Sequence, residues 1–173
     1  LDSWPAQRAM AESLDELPKF LHQQVDVLAT DLHPDYATSL WAEKDPRPTL
    51  AVQHHHAHVA ACLAEHGLNE ALGVAWDGTG YGADGSSWGG EFLQVNRTGY
   101  QRIASLRPFP LPGGDAAARN GWRALAGLCV DALQLPGRVT DSIKPYLALA
   151  RSNRVCPQSS SVGRLFDAVA ALS

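Results

Sequence analysis

Apolar positions at the start of the chain recur three or four residues apart. In "AQRAMAESLDELPKFLHQ" they are Met10, Leu14, Leu17 and Leu21, which predicts an amphipathic helix interrupted by Pro18. The pattern then shortens. "VDVLAT" (25–30) predicts a strand followed by a turn in "DLHPDY", and a helix is expected from near Asp35 to the break at "KDPRP". "TLAVQ" (49–53) predicts a second strand that feeds directly into "HHHAHVAACLAEHG". Helical spacing resumes there from His54 to His66 and stops at Gly67, where a C-terminal glycine belongs.

Beyond Gly67 the period changes to that of strands. Three antiparallel strands are expected at about 71–76, 88–96 and 100–107, with glycine turns in "DGTGYGADGSSWGGEF". After the connector "RPFPLPGGD", Asp115 is a candidate N-cap for a long helix to about Leu133, with Trp122, Leu125, Cys129 and Ala132 on its apolar face and a weak point at Asn120-Gly121. Residues 137–158 read as loop with a short helix. "SSSVGRLFDAVAAL" opens a last amphipathic helix capped by Ser161 or a neighbouring serine, and the pattern is still helical at Ser173. The order of elements predicts an α/β chain with a mixed sheet and flanking helices.

Composition narrows the function classes. The 173 residues suit one domain or two small lobes, and 45% hydrophobic with 18% charged residues is ordinary for a globular chain. The net charge of −4, without a basic run, gives no general attraction for nucleic acid. No apolar stretch approaches the roughly 20 residues that span a bilayer, so no membrane partner is expected. "LDSWPAQRAM" lacks a signal-peptide pattern, and a cytoplasmic location is expected. Cys62, Cys129 and Cys156 are odd in number and widely spaced, which argues against a disulfide framework or a thiolate zinc finger.

The densest chemistry is histidine: His54, His55, His56 and His58 within five residues. The run is short, internal and inside an amphipathic helix, unlike an affinity tag. Residues four apart on a helix lie on one face about 6 Å apart at Cβ, so His54 and His58 can share a metal ion, whereas His55 and His56 point elsewhere. Local hydrogen bonding at a helix start is the alternative, and both readings stay open on spacing alone. The metalloprotease pattern His-Glu-x-x-His is absent, because His55 stands where the glutamate would be.

Asp77 closes an apolar strand and enters a loop with Gly78, Thr79, Gly80 and Gly82. Such a loop can present N–H groups to a phosphate, and a strand-end carboxylate can reach the accompanying cation; a plain hairpin turn with a capping aspartate is the alternative. Asp84, Trp88 and Glu91 follow on the hairpin, where Trp88 can cover an adenine or pack in a core. Arg119 and Arg123, four apart on the predicted helix, can bind an anion or remain solvated. Neither the P-loop nor the Gly-x-Gly-x-x-Gly pattern occurs.

Together, "VQHHHAHVAACLAEHGL", "GVAWDGTGYGADGSSWGGEFL", "LRPFPLPGGDAAARNGWR" and "SSSVGRLFDAVAAL", with "DLHPDY" before them, resemble the HypF carbamoyltransferases over Val25 to the end. The resemblance implies the carbamoyl-transfer domain and an actin/Hsp70-like nucleotide-binding fold. Residues 1–67 would be the end of a first lobe with the histidine helix, and 68–173 the meander and following helices. It also implies a divalent metal (Zn, Fe, Mn or Mg) on His54, His58 and the catalytic carboxylate Asp77. ATP-derived carbamoyl-adenylate would lie at the Gly78, Thr79, Gly80 and Gly82 loop, and the acceptor would be a C-terminal cysteine of a HypE-like partner. Carbamoylation of a small molecule and a non-catalytic metal- or nucleotide-binding module are the alternatives. Asn120-Gly121 replaces the family's usual Glu-Pro, and Val162 a small residue or cysteine. The family's later phosphate loop and last metal carboxylate have no counterpart, so a piece of a larger enzyme, inactive alone, is expected.

Overall fold

The computed structural model describes residues 3–172 apart from 131, 133, 134, 136 and 153–155, which leaves the expected helix end at Leu133 outside the described residues. Two compact units are present, Leu1–His54 and His55–Ser173. In the first, α1 (Trp4–Phe20) is capped by Ser3, whose side chain accepts from the Ala6 N–H. Pro18 does not end α1, which runs on to Phe20 although Pro18 has no N–H to give the Leu14 carbonyl. Strand β1 (Leu28–Asp31) pairs in parallel with β2 (Thr49–Val52) across the short helix α2 (Ala37–Ala42). No described helix is long and apolar enough to cross a membrane.

The second unit is built on the meander. Strands β3 (Glu70–Tyr81), β4 (Ser87–Asn96) and β5 (Gly99–Ser105) are antiparallel and flank β4 on both sides. Further along, β6 (Phe109–Pro110) pairs with β7 (Gln158–Ser159), and β7 meets β4 in parallel at Ser87↔Ser159, which makes the sheet mixed. Helix α3 (His54–Glu65) lies over one face. Its Val59 and Leu63 join Ala75, Trp88, Leu93 and Val95 in a buried cluster, each large side chain contributing roughly 1.5–3 kcal/mol by leaving water. Gly73 permits the close approach, since a Cβ there would lie 2.3 Å from a Val59 methyl.

A second core joins Phe109 and Leu111 to α4 (Gly121–Leu128), α5 (Gly137–Ala150) and α6 (Val162–Ala170), with Ala124, Leu125, Ile143 and Ala168 inside. The expected long helix is two elements. A 3₁₀ helix spans Gly114–Arg119, and Asn120, not Asp115, caps α4 by accepting from the Trp122 N–H. The break falls at the weak Asn120-Gly121 step. Gly121 is needed there, because a Cβ would lie 2.3 Å from the Asp167 carbonyl oxygen. Residues 137–150 form a full helix despite Gly137 and Pro145, correcting the expectation of a loop-rich segment. Ser161 caps α6 as expected, and α6 closes at Ala170.

Candidate metal centre

Strand β3 runs five residues further than its alternating pattern suggests, to Tyr81. Trp76 faces Gly90 across the hairpin, but Gly80 faces Trp88, so β3 carries two more residues than β4 over this interval. The excess makes a bulge at residues 77–79 in place of the tight turn expected there; the turn itself comes later, at Gly82–Ser86, closed by the Gly82 N–H donating to the Ser86 carbonyl. A bulge bends its strand and re-aims a side chain. Here that side chain is Asp77.

Helix α3 supplies the other groups. Its continuity fixes His54 one turn before His58, and the ligand atoms of His54, His58 and Asp77 all lie within 4.8 Å of one another. His58 Nε2 is 3.9 Å from Asp77 Oδ2. That is too far for a hydrogen bond, yet within the span of two bonds of about 2.1 Å to a shared ion. Two imidazoles and a carboxylate are a donor set suited to Zn, Fe or Mn. The neighbouring histidines are used otherwise: His55 is fully buried with its ring 6.1 Å from that of Trp88, and the His56 ring lies 4.9 Å from that of Tyr100.

One contributor escaped the sequence reading. Asp31, at the end of β1, places Oδ2 2.9 Å from His54 Nδ1. A carboxylate on one ring nitrogen selects the tautomer that leaves the other nitrogen as a ligand, the usual support for a metal-binding histidine. Its signal was an apolar strand ending in aspartate, the same as that of Asp77, but "DLHPDY" read locally as a turn.

The Asp77 loop is braced from below. Ser161 Oγ lies 2.9 Å from the Asp77 carbonyl oxygen and 2.7 Å from that of Gly78, and accepts from the Arg164 N–H at 3.1 Å. Two glycines let the chain close on this loop. A Cβ on Gly89 would lie 2.5 Å from the Asp77 carbonyl oxygen, and one on Gly163 would lie 2.6 Å from Gly78 Cα.

The expected phosphate residues are gathered here, with several of their polar groups engaged internally. Gly78 donates to Asp77 Oδ1, Thr79 Oγ1 meets Ser87 Oγ at 3.0 Å, and the Gly82 N–H closes the turn. Gly80 stands in the ladder opposite Trp88. Trp88 is a core residue, 3% exposed, its Nε1 donating to Asp84 Oδ1 at 2.9 Å. Partial burial of Asp84 works against ionisation, but hydrogen bonds from Ser86 and Trp88 and the Arg102 charge outweigh it and hold this carboxyl below its ordinary range. Arg119 and Arg123 do not share a helix, since Arg119 lies in the 3₁₀ segment. Arg123 stacks on the Tyr146 ring and donates to the Pro112 carbonyl.

Comparison with known proteins agrees with this architecture. Residues 73–173 match the family model described as "Carbamoyltransferase, Kae1-like Domain, second subdomain", and residues 1–65 match "HypF Kae1-like domain". A carbamoyltransferase HypF homologue of Cupriavidus necator is 42% identical over 94% of this chain and 44% of its own length. Carbamoyltransferase HypF of Rhizobium leguminosarum is 40% identical over the whole chain and 24% of its own length. The chain therefore spans less than half of these relatives. A crystal structure of full-length HypF in a phosphate- and nucleotide-bound form superposes with a TM-score of 0.88 at 37% identity, covering 99% of this chain and 24% of that one. HypF of T. kodakarensis gives 0.82 at 33%, over 99% of this chain and 25% of that one. The α/β fold with a mixed sheet and flanking helices is thus shared with these proteins and is consistent with an actin/Hsp70-like nucleotide-binding fold.

Proposed function

The chain belongs to the HypF family of carbamoyltransferases, and from that premise we propose that it is the part of such an enzyme that holds a divalent metal and an adenylate while a carbamoyl group passes to an acceptor thiolate. The observation that carries this reading is the convergence of His54, His58 and Asp77, ligand atoms within 4.8 Å. The nucleotide-bound form of the full-length relative supports an adenylate ligand. An ion on these residues would supply Lewis acidity toward the carbamoyl carbonyl and charge for the adenylate phosphate.

The remaining work falls to the protein's own groups. Asp31 orients His54 through Nδ1. Asp77 accepts the Gly78 N–H through Oδ1, which leaves Oδ2, the oxygen 3.9 Å from His58 Nε2, for a cation. Charge developing on the phosphate side then meets preorganised backbone dipoles. No nucleophile is needed from this chain, since the acceptor is a cysteine thiolate of a partner, a HypE-like protein with a C-terminal cysteine in hydrogenase maturation. Cys129 and Cys156 suit a passive role, because burial raises both thiols above their ordinary pKa. A cytoplasmic location accompanies this role.

The test is metal content and adenylate affinity of the purified chain beside a His54→Ala/His58→Ala double variant. The reading expects stoichiometric metal that is lost in the variant, with adenylate affinity falling alongside. Metal retained by the variant would overturn it.

A further inference from the structure

Glu91 lies in the middle of β4 and is completely buried. Its Oε2 accepts from Arg102 Nε at 2.6 Å, and its Oε1 accepts from the Gly89 and Gly90 N–H groups, both at 3.2 Å, and from Ser160 Oγ. Arg102 extends the network, lying 4.1 Å over the Trp88 ring and 3.3 Å from Asp84 Oδ2, with Nη2 3.4 Å from Ser160 Oγ. Burying such a charge pair is no general route to stability, since apolar side chains of similar volume often serve as well. A buried carboxylate held by four donors therefore points to something it secures.

What it secures is the segment 159–161. Strand β7 is only two residues long, meeting β4 at one register pair and β6 at two, and its ladder ends at Ser159, so Ser160 and Ser161 lie beyond it. Ser160 is tied to Ser87 through its backbone N–H and to Glu91 through its hydroxyl. The next residue, Ser161, holds the carbonyls of both Asp77 and Gly78. Gly89 and Gly90, whose N–H groups face Glu91, abut the same parts. A Cβ on Gly89 would meet the Asp77 carbonyl, and one on Gly90 would lie 2.3 Å from the Ser160 carbonyl oxygen.

We propose that Glu91 is a positioning residue for Asp77, anchoring Ser160 and, through Ser161, the peptide groups that set where the Asp77 carboxylate meets His58. Being fully buried, Glu91 touches no ligand and acts only through this chain of contacts. The inference rests on the metal reading of His58 and Asp77.

The experiment uses the 173-residue chain and Co²⁺ alone as the probe, with Glu91→Gln, Ser160→Ala and His58→Ala variants. Three quantities are read: Co²⁺ affinity, the Co²⁺ ligand-field spectrum, and hydrogen exchange of the Gly78 amide in metal-free protein. Glu91→Gln is expected to weaken Co²⁺ binding about tenfold, the lower end for loss of an outer-shell partner, with an altered spectrum and faster Gly78 exchange. Ser160→Ala cuts only the link to the segment and leaves the Arg102 pair, so it is expected to reproduce these changes even if Glu91→Gln fails to fold. Parental affinity, spectrum and exchange in a folded Ser160→Ala protein would overturn the inference, whatever happens to thermal stability. If His58→Ala binds Co²⁺ like the parent, the metal reading itself fails. Gly78 exchange then decides alone: faster exchange in Ser160→Ala sustains the positioning link, and unchanged exchange removes it.

Discussion

Replacing Gly163 by alanine tests whether packing beneath the Asp77 loop sets its geometry. The new Cβ would lie 2.6 Å from Gly78 Cα, 3.2 Å from its nitrogen and 3.3 Å from the Asp77 carbonyl oxygen, all backbone atoms without a rotamer to change. Ordinary contact begins at 3.4 Å, so the loop or the start of α6 must retreat by about 0.8 Å. The proposed centre has less tolerance than that. Two bonds of about 2.1 Å span at most about 4.2 Å, and His58 and Asp77 already stand 3.9 Å apart, leaving a slack of about 0.3 Å.

Stability should change less than binding. Overpacking costs about 1–3 kcal/mol, but alanine recovers about 1 kcal/mol of helix propensity, so the net loss lies between about zero and 2 kcal/mol. Chelator competition should report metal affinity reduced at least tenfold, with a thermal melt shifted by only a few degrees. Parental affinity in Gly163→Ala, alongside abolished binding in His58→Ala, would refute the reasoning.

Three further outcomes follow from the same geometry. Asp31→Ala should lower metal affinity about 10–100-fold by releasing His54 Nδ1, measurable by the same competition, whereas Asp31→Glu should retain part of it. Because the Asp84 carboxyl is held below its ordinary value in the folded state, the unfolded chain takes up its proton first as pH falls. The stabilisation is therefore full above about pH 5 and is lost as pH drops through about 4 and below; Asp84→Asn should flatten this part of a melting-temperature profile against pH. Iodoacetamide at pH 8 should label the exposed Cys62 well before Cys129 and Cys156, whose thiols burial holds protonated, as peptide mass mapping would record.

Local pattern carried much of this fold. The turn of helix that groups His54 with His58, the stop at Gly67, the three strands of the meander and the Ser161 cap were all legible, because each depends on neighbours within four or five residues. The bulge was not. Nothing in "WDGTGYG" states that Trp76 pairs with Gly90 and Gly80 with Trp88, since register belongs to the partner strand. The contact of Asp31 with His54 spans 23 residues and needs the parallel pairing of β1 and β2 to exist. The full length of helix α5 was not legible, because Gly137 and Pro145 weigh locally against a helix that buries Ile143 and Ala150. Trp88 illustrates a choice that composition leaves open: a tryptophan beside a glycine loop suits a base or a core, and here packing with Val59 and Leu93 decides for the core.

The two surplus residues of β3 have a consequence for how this sequence tolerates change in length. Side chains alternate along a strand with period two, so an even surplus lets the hairpin resume beyond the detour with its alternation in phase. Removing one residue from 77–79 would invert that phase for the rest of the strand and force its pairing to slip. Removing two would heal the ladder, leaving a sound hairpin with no carboxylate turned toward the histidine helix. Length variation at this point is therefore tolerated by the scaffold only in steps of two, while the proposed metal centre needs both surplus residues between Trp76 and Gly80 to keep Asp77 turned toward the histidine helix.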